Sequence, residues 1–207
     1  MDNEPEPFWA GAGEEEAIAE WKKKVSFDEK GWGRISASGR LNGSSGAWVE
    51  ANVLRPLGVT RNEACITDCL NTYRASTGVE KRIGDTYLPF AARLHIPEAA
   101  LEPHPSENEI VVEALKGHRE RLRAELVATT PDVVVTLGNA ALRVFRELIP
   151  STSSSAPSKL SPRTDLYGAA HSIRINGKAA VWFPLAHPAA PKSYQATHER
   201  WVAKRVG

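Results

Sequence analysis

Apolar positions along the chain fall into two alternating patterns, helical stripes and unbroken runs. Glu14 to Lys24 carries Ile18 and Trp21 three apart on one side of a predicted helix. Ala47 to Leu57 does the same with Trp48 and Ala51, joined by Leu54 or Leu57. The longest stripe runs from Ser106 to Thr129, where Ile110, Val111, Ala114, Leu115, Leu122 and Leu126 share a face and predict one amphipathic helix. Val133–Leu137, after Pro131, is instead a continuous β-branched run, the kind a parallel strand covered on both faces needs. Gly138 ends it, and Asn139 is expected to cap a helix over Ala140–Leu148. Ala179–Ala186 is a second apolar run, stopped at His187-Pro188, and Cys65–Leu70 is a shorter one read as a buried strand. Lys192–Val206 closes the chain as a short helix.

Loops punctuate these elements. Asp28–Ser45 is rich in Gly and Ser, and Ser151–Pro162 is low in complexity and expected to be a mobile surface loop. Strands alternating with helices predict an α/β fold, a three-layer α/β/α sandwich with a central, mainly parallel sheet. The 207 residues suit a single domain over 1–207. Ligands of such folds sit beyond the carboxyl ends of the strands. The polar residues near Glu14, Asp68, Gly138 and His187 are therefore expected to converge.

Composition adds little, since 42% hydrophobic and 25% charged residues are ordinary for a globular protein. No run approaches the roughly 20 apolar residues of a membrane span. The acidic, proline-bearing N-terminus is unlike a secretory signal, so a cytoplasmic protein with no membrane partner is expected. Charge says more by its distribution than by its sum. The first twenty residues hold seven carboxylates and no Lys or Arg, so the net charge of +1 leaves +8 on the remainder. Lys192, Arg200, Lys204 and Arg205 gather part of that charge near the C-terminus, either as a phosphate-facing surface or as a solvated helix face. Cys65 and Cys69 are too few for an iron–sulfur cluster or a structural zinc site, and no His lies at finger-like spacing from them. Both are read as reduced core residues, with no metal and no cofactor expected.

Three segments together resemble the uracil-DNA glycosylase superfamily over roughly residues 40–200. Asn42-Gly43-Ser44-Ser45-Gly46, with the helix after it and Gly58, is similar to the family's glycine-rich segment. Ala64-Cys65-Ile66-Thr67-Asp68 stands where the family's strand delivers its base-reading side chain. Pro131 through Ala141, and the strand ending in His187-Pro188-Ala189-Ala190-Pro191, are similar to the family's core strand–helix unit and its His-Pro loop. The resemblance implies a monofunctional DNA glycosylase, acting on DNA as a monomer, that flips a base into a pocket and hydrolyses its N-glycosidic bond.

That reaction puts negative charge on the departing base and positive charge on the sugar. It needs a donor at the base oxygen and a polar group near C1′ to position water. His187 ends a buried strand, with Pro188 stiffening the turn, in the position from which the family's His faces the pyrimidine O2. At the base-reading position uracil-specific relatives usually carry Asn, where this chain has Asp68. An ionised carboxylate accepts from the exocyclic amine of cytosine and offers nothing to uracil O4, so a cytosine-type base is expected. If the register is shifted by a few residues, Asn71 reads the base instead.

Excising plain cytosine would damage the cell's own genome. The expected substrate is thus a modified cytosine, for example glucosylated hydroxymethylcytosine in phage DNA, a role in antiviral defence. Gly39-Arg40-Leu41-Asn42-Gly43-Ser44 lacks the aromatic residue of many relatives and leaves room for a bulky 5-substituent. Asn42 is expected to position water or the base, and Gly43 to line the base. The Gly43–Gly46 amides, with Ser44 and Ser45, either hold a phosphate or form a simple turn. Arg74, Pro188, Ala189, Lys192 and Tyr194 are expected to touch DNA. His95, His104, His118, His171 and His198 lack a comparable setting and are expected at the surface.

The family's first motif, a strand followed by a glycine-rich turn, has two candidate matches. Phe8–Glu16 would place Glu14 or Glu16 near the sugar, whereas Val25–Glu29 would supply Asp28. An acidic helix N-terminus also follows from the helix dipole alone. The His-Pro loop lacks the apolar wedge of many relatives. Three functions remain open: the glycosylase, with uracil as the alternative base; a module that binds a modified base in DNA without cleaving it; and a hydrolase of free nucleosides.

Overall fold

The computed structural model describes residues 14–24, 26, 30, 43–72, 74–86, 88–93, 95, 102–149, 156–163 and 166–206. In chain order the helices are α1 (Glu14–Lys24), α2 (Gly43–Val49), α3 (Thr77–Thr86), α4 (Leu88–Arg93), α5 (Glu107–Gly117), α6 (Arg119–Thr129), α7 (Gly138–Leu148) and α8 (Gln195–Val206). The strands are β1 (Arg74–Ala75), β2 (Glu102–Pro103), β3 (Val133–Leu137), β4 (His171–Ile175) and β5 (Lys178–Leu185). β5 is central in the order β3-β5-β4, parallel to β3 and antiparallel to β4, while β1 and β2 form a separate parallel pair.

Alternation along β5 explains the layers. Ala180 and Trp182 enter one core with Val111, Ala114, Leu122, Leu142 and Phe145 from α5, α6 and α7. Phe183 and Leu185 enter a second core with Val49, Val53, Leu54 and Trp201, from the α2 region and α8. A strand apolar on both sides requires helices on both sides, which is the three-layer α/β arrangement. The buried Trp182 indole donates to Thr136 Oγ1 at 3.0 Å, so the polar atom that an apolar run hides has its partner.

Several elements differ from the sequence reading. The stripe over Ser106–Thr129 is two helices. Ser106 and Glu109 form a capping box at its start, and at His118 the backbone leaves helical geometry (φ −122°, ψ 4°). The helix read over Ala47–Leu57 starts earlier, at Gly43, then widens into a π turn over Glu50–Leu54 and tightens over Arg55–Leu57. Asn139 does not cap α7; its Oδ1 accepts the Leu160 amide at 2.8 Å. That bond, with Ala156 and Leu160 buried, fastens part of the stretch expected to be a mobile loop, while 151–155 lie outside the described residues. Strand β4 was not foreseen, although its hairpin turn Asn176-Gly177, at φ 48° and 82°, is a strong two-residue signal. Among the described residues no helix is long and apolar enough to cross a membrane.

Candidate active site

His187 stands two residues beyond the end of β5. The Ala190 amide donates to the His187 carbonyl at 2.8 Å, closing a tight turn in which Pro188 supplies the second residue with φ already fixed. Inside that turn the Ala189 amide donates to His187 Nδ1 at 3.1 Å. A nitrogen that accepts carries no proton, so the neutral ring holds its hydrogen on Nε2, free to donate outward. Burial lowers the pKa of His187 from its ordinary value; Asp68 pulls it up and His104 pushes it down, with burial dominant. The ring nevertheless keeps an exposed edge.

Two supports fix this turn. Gly138, at the start of α7, has φ 89°, and a Cβ there would lie 3.2 Å from His187 Cβ. The glycine after the β3 run therefore serves close approach to His187 as well as the strand-to-helix turn. Behind His187, the Ala186 amide donates to the Tyr167 hydroxyl at 3.1 Å, and that hydroxyl donates to His198 Nδ1 at 2.7 Å. His198 Nε2 donates in turn to the Asn52 carbonyl at 3.0 Å. The chain of bonds is saturated only when His198 is neutral, and burial indeed lowers its pKa. It ties the His187 turn to the π turn that follows the glycine-rich segment.

Asp68 is delivered differently. Cys65–Leu70 is irregular rather than a buried strand, and both Cys65 and Asp68 are exposed. No ladder holds the segment. Arg121 of α6 does, donating to Thr67 Oγ1 (2.9 Å), the Asp68 carbonyl (2.8 Å) and the Cys69 carbonyl (3.2 Å), and braced by Glu125 at 2.8 Å. The half-buried Cys69 thiol is pushed up to about 11 by burial, with Asp68 adding, so it is no thiolate nucleophile. Cys65, read as a core residue, is a free thiol at the surface.

Asp68 and His104 both act electrostatically on His187, and His104 is exposed, as expected from the sequence. His104 follows β2, and its amide donates to the Ala75 carbonyl at 2.9 Å. Only its place just before the Ser106 capping box hinted at an ordered position. Two residues along, a depression of about 470 Å³ is lined by Ser106, Glu107, Asn108, Arg143, Ser158 and Lys159. His171 and His198, also expected at the surface, are buried.

The other expected residues divide. Asn42 and Asp28 lie outside the described residues. Glu14 opens α1, where Glu16 is exposed. Gly43, Ser44, Ser45 and Gly46 are the first turn of α2 and not a loop before it; Ser45 is exposed and Gly46 buried. Asn71 and Lys192 are exposed, and Pro188 and Ala189 build the His187 turn. Arg74, expected at a phosphate, is held by Glu102 and Glu113, so its charge is already compensated within the fold. The Tyr194 hydroxyl donates to the Leu160 carbonyl at 3.0 Å. Among the described residues no cluster of His, Cys, Asp and Glu is arranged to hold a metal ion.

A family model described as the uracil DNA glycosylase superfamily matches residues 41–205, from the glycine-rich segment to the last turn of α8. No curated protein matches the chain. Members of that superfamily are in general DNA glycosylases, hydrolases whose substrate is DNA. With its sheet buried on both sides and its matched segment spanning both cores, the chain belongs to the uracil DNA glycosylase superfamily.

Proposed function

We propose that the protein is a DNA glycosylase that excises a flipped, modified cytosine, with His187 as the donor at the departing base and Asp68 as the reader of its exocyclic amine. The observation that carries this reading is the pairing of a neutral imidazole, whose Nδ1 is occupied by the Ala189 amide, with a carboxylate close enough to act on it electrostatically. As the N1–C1′ bond breaks, its electron pair moves onto the base and its charge grows at O2. An Nε2–H on a ring already fixed through Nδ1 stabilises that charge with little reorganisation. Water adds to C1′ and leaves an abasic site. Asp68 accepts from N4–H of a cytosine but faces a lone pair at uracil O4, which disfavours uracil.

The test is abasic-site formation on duplexes carrying uracil, cytosine, hydroxymethylcytosine or its glucosylated form. Cleavage confined to cytosine derivatives, and reduced roughly 10²–10³-fold in His187→Ala, is expected. Cleavage of uracil alone overturns the base assignment, and silence on every substrate overturns the catalytic reading.

A further inference from the structure

On the flank of the sheet, between the turn at Tyr167–Ala169 and helix α8, lies a cleft of about 230 Å³ that no step above uses. Arg200, Lys204 and Arg205 line it, with Thr197 beside them, and no carboxylate does. Among the described residues none of the three cations forms an ion pair. Arg200 and Lys204 are four apart on the helix, a like-charge spacing that costs stability. The helix dipole accounts for Lys204 and Arg205 in the last turn but not for Arg200.

Arg205 is the most constrained of them. Its guanidinium lies 4.2 Å from the centre of the Trp201 ring and 4.9 Å from that of Phe183, and it donates to the Trp201 carbonyl at 3.1 Å. Burial lowers its pKa, so a partly desolvated cation is held rigidly with most of its fork unused. The opposite wall is equally fixed. Gly168 has φ 61°, and a Cβ there would stand 2.3 Å from Trp201, whose indole donates to the Gly168 carbonyl at 2.9 Å. Arg200 donates to Thr197 Oγ1 at 3.1 Å, which steadies the third side.

We propose that this cleft is a second DNA contact, binding a backbone phosphate of the strand whose target base sits at His187. The inference rests on the DNA-glycosylase reading. A phosphodiester supplies the charge and several acceptor oxygens that an uncompensated cluster of guanidinium and ammonium groups lacks. Tyr167 forms part of the cleft wall while its hydroxyl holds the Ala186 amide, so cleft and His187 turn share one support. Duplex DNA presents a charge about every 1.7 Å along its axis, so a strand engaged at His187 offers a phosphate to any cationic cleft that its backbone reaches.

The experiment is a salt series of binding affinities, by fluorescence anisotropy, for the full chain and a short unmodified duplex. The double variant Arg200→Gln/Lys204→Gln is compared with the charge-conserving Lys204→Arg. The double variant is expected to flatten the dependence of log K on log salt by about 1–2 in slope, with Lys204→Arg unchanged. Both positions are exposed, and an unchanged melting temperature confirms intact folding. Equal slopes and affinities for all three proteins overturn the cleft while leaving the glycosylase reading intact. Tighter binding by the double variant also overturns it, since the cations would then be holding the chain's own acidic first twenty residues. Failure of the unaltered protein to bind DNA overturns the glycosylase reading and the cleft together.

Discussion

The two residues of the proposed site, His187 and Asp68, are carried by segments built in opposite ways. His187 ends a strand paired on both sides, and its turn is then fixed by Pro188, the Ala189 and Ala190 amides, Gly138 and Tyr167. Asp68 sits on an irregular stretch whose carbonyls at Asp68 and Cys69 are bonded by a single guanidinium reaching over from α6, while Ile66, Cys69 and Leu70 pack against the cores. The first arrangement is redundant and holds the proposed donor rigidly. The second takes its side-chain hydrogen bonds from one residue, with Ile66, Cys69 and Leu70 packed against the two cores, so the proposed base reader depends on Arg121 more than the proposed donor depends on any one of its supports.

That contrast is open to attack by substitution. Arg121→Ala removes every side-chain bond found to Thr67, Asp68 and Cys69, worth about 2–3 kcal/mol, and lowers cleavage of the preferred base by about a hundredfold if that loss is felt in the transition state. Single-turnover rates on two bases measure it; a loss of less than about threefold would show the segment to be held some other way. Gly138→Ala, with its positive φ and its contact on His187, costs about 1–3 kcal/mol and shifts the ring, for a rate loss of roughly tenfold. Tyr167→Phe keeps the ring and strands the Ala186 amide, lowering the melting temperature by several degrees, since an unmet buried donor costs about 1–3 kcal/mol. Redundant support predicts only a severalfold loss of rate. A loss matching that of Arg121→Ala would refute the redundancy.

The smallest expected effect is on pH dependence. His171, His187 and His198 all have pKa values lowered by burial in the folded protein. The unfolded chain, with His near 6.5, then binds more protons, so stability is complete above about pH 6.5 and falls as pH drops through that value toward the lower folded-state pKa values. Melting temperatures measured between about pH 8 and pH 5 should therefore decline on the acid side, and His198→Gln should flatten the decline. A flat profile for the unaltered protein would contradict the burial of His171 and His198.

The same contrast marks where the sequence was legible. Two apolar runs and their stops placed β3, β5, Gly138 and His187, because a strand covered on both faces leaves an unbroken hydrophobic record. The hold on Asp68 left none. Arg121 reads as one more charge on a helix, and its partners lie more than fifty residues earlier in the chain. The apolar residues of Cys65–Leu70 predict a strand for the same reason: they promise a ladder, while the observed bonds come from a side chain. The partners of Arg74, Glu102 and Glu113, lie far along the chain and meet it only through folding. His104 is exposed, as the sequence predicts, and only its place just before the Ser106 capping box suggests an ordered position.

Replacing Asp68 by Asn and measuring excision of cytosine derivatives and uracil side by side bears most directly on how this site chooses its base. An amide keeps the size of the carboxylate but turns one acceptor into a donor. The ratio of rates should therefore move toward uracil by about 10–100-fold, the worth of one well-made base contact. A variant that keeps the original preference, with Arg121 and His187 intact, would contradict the assignment of Asp68 as the base reader.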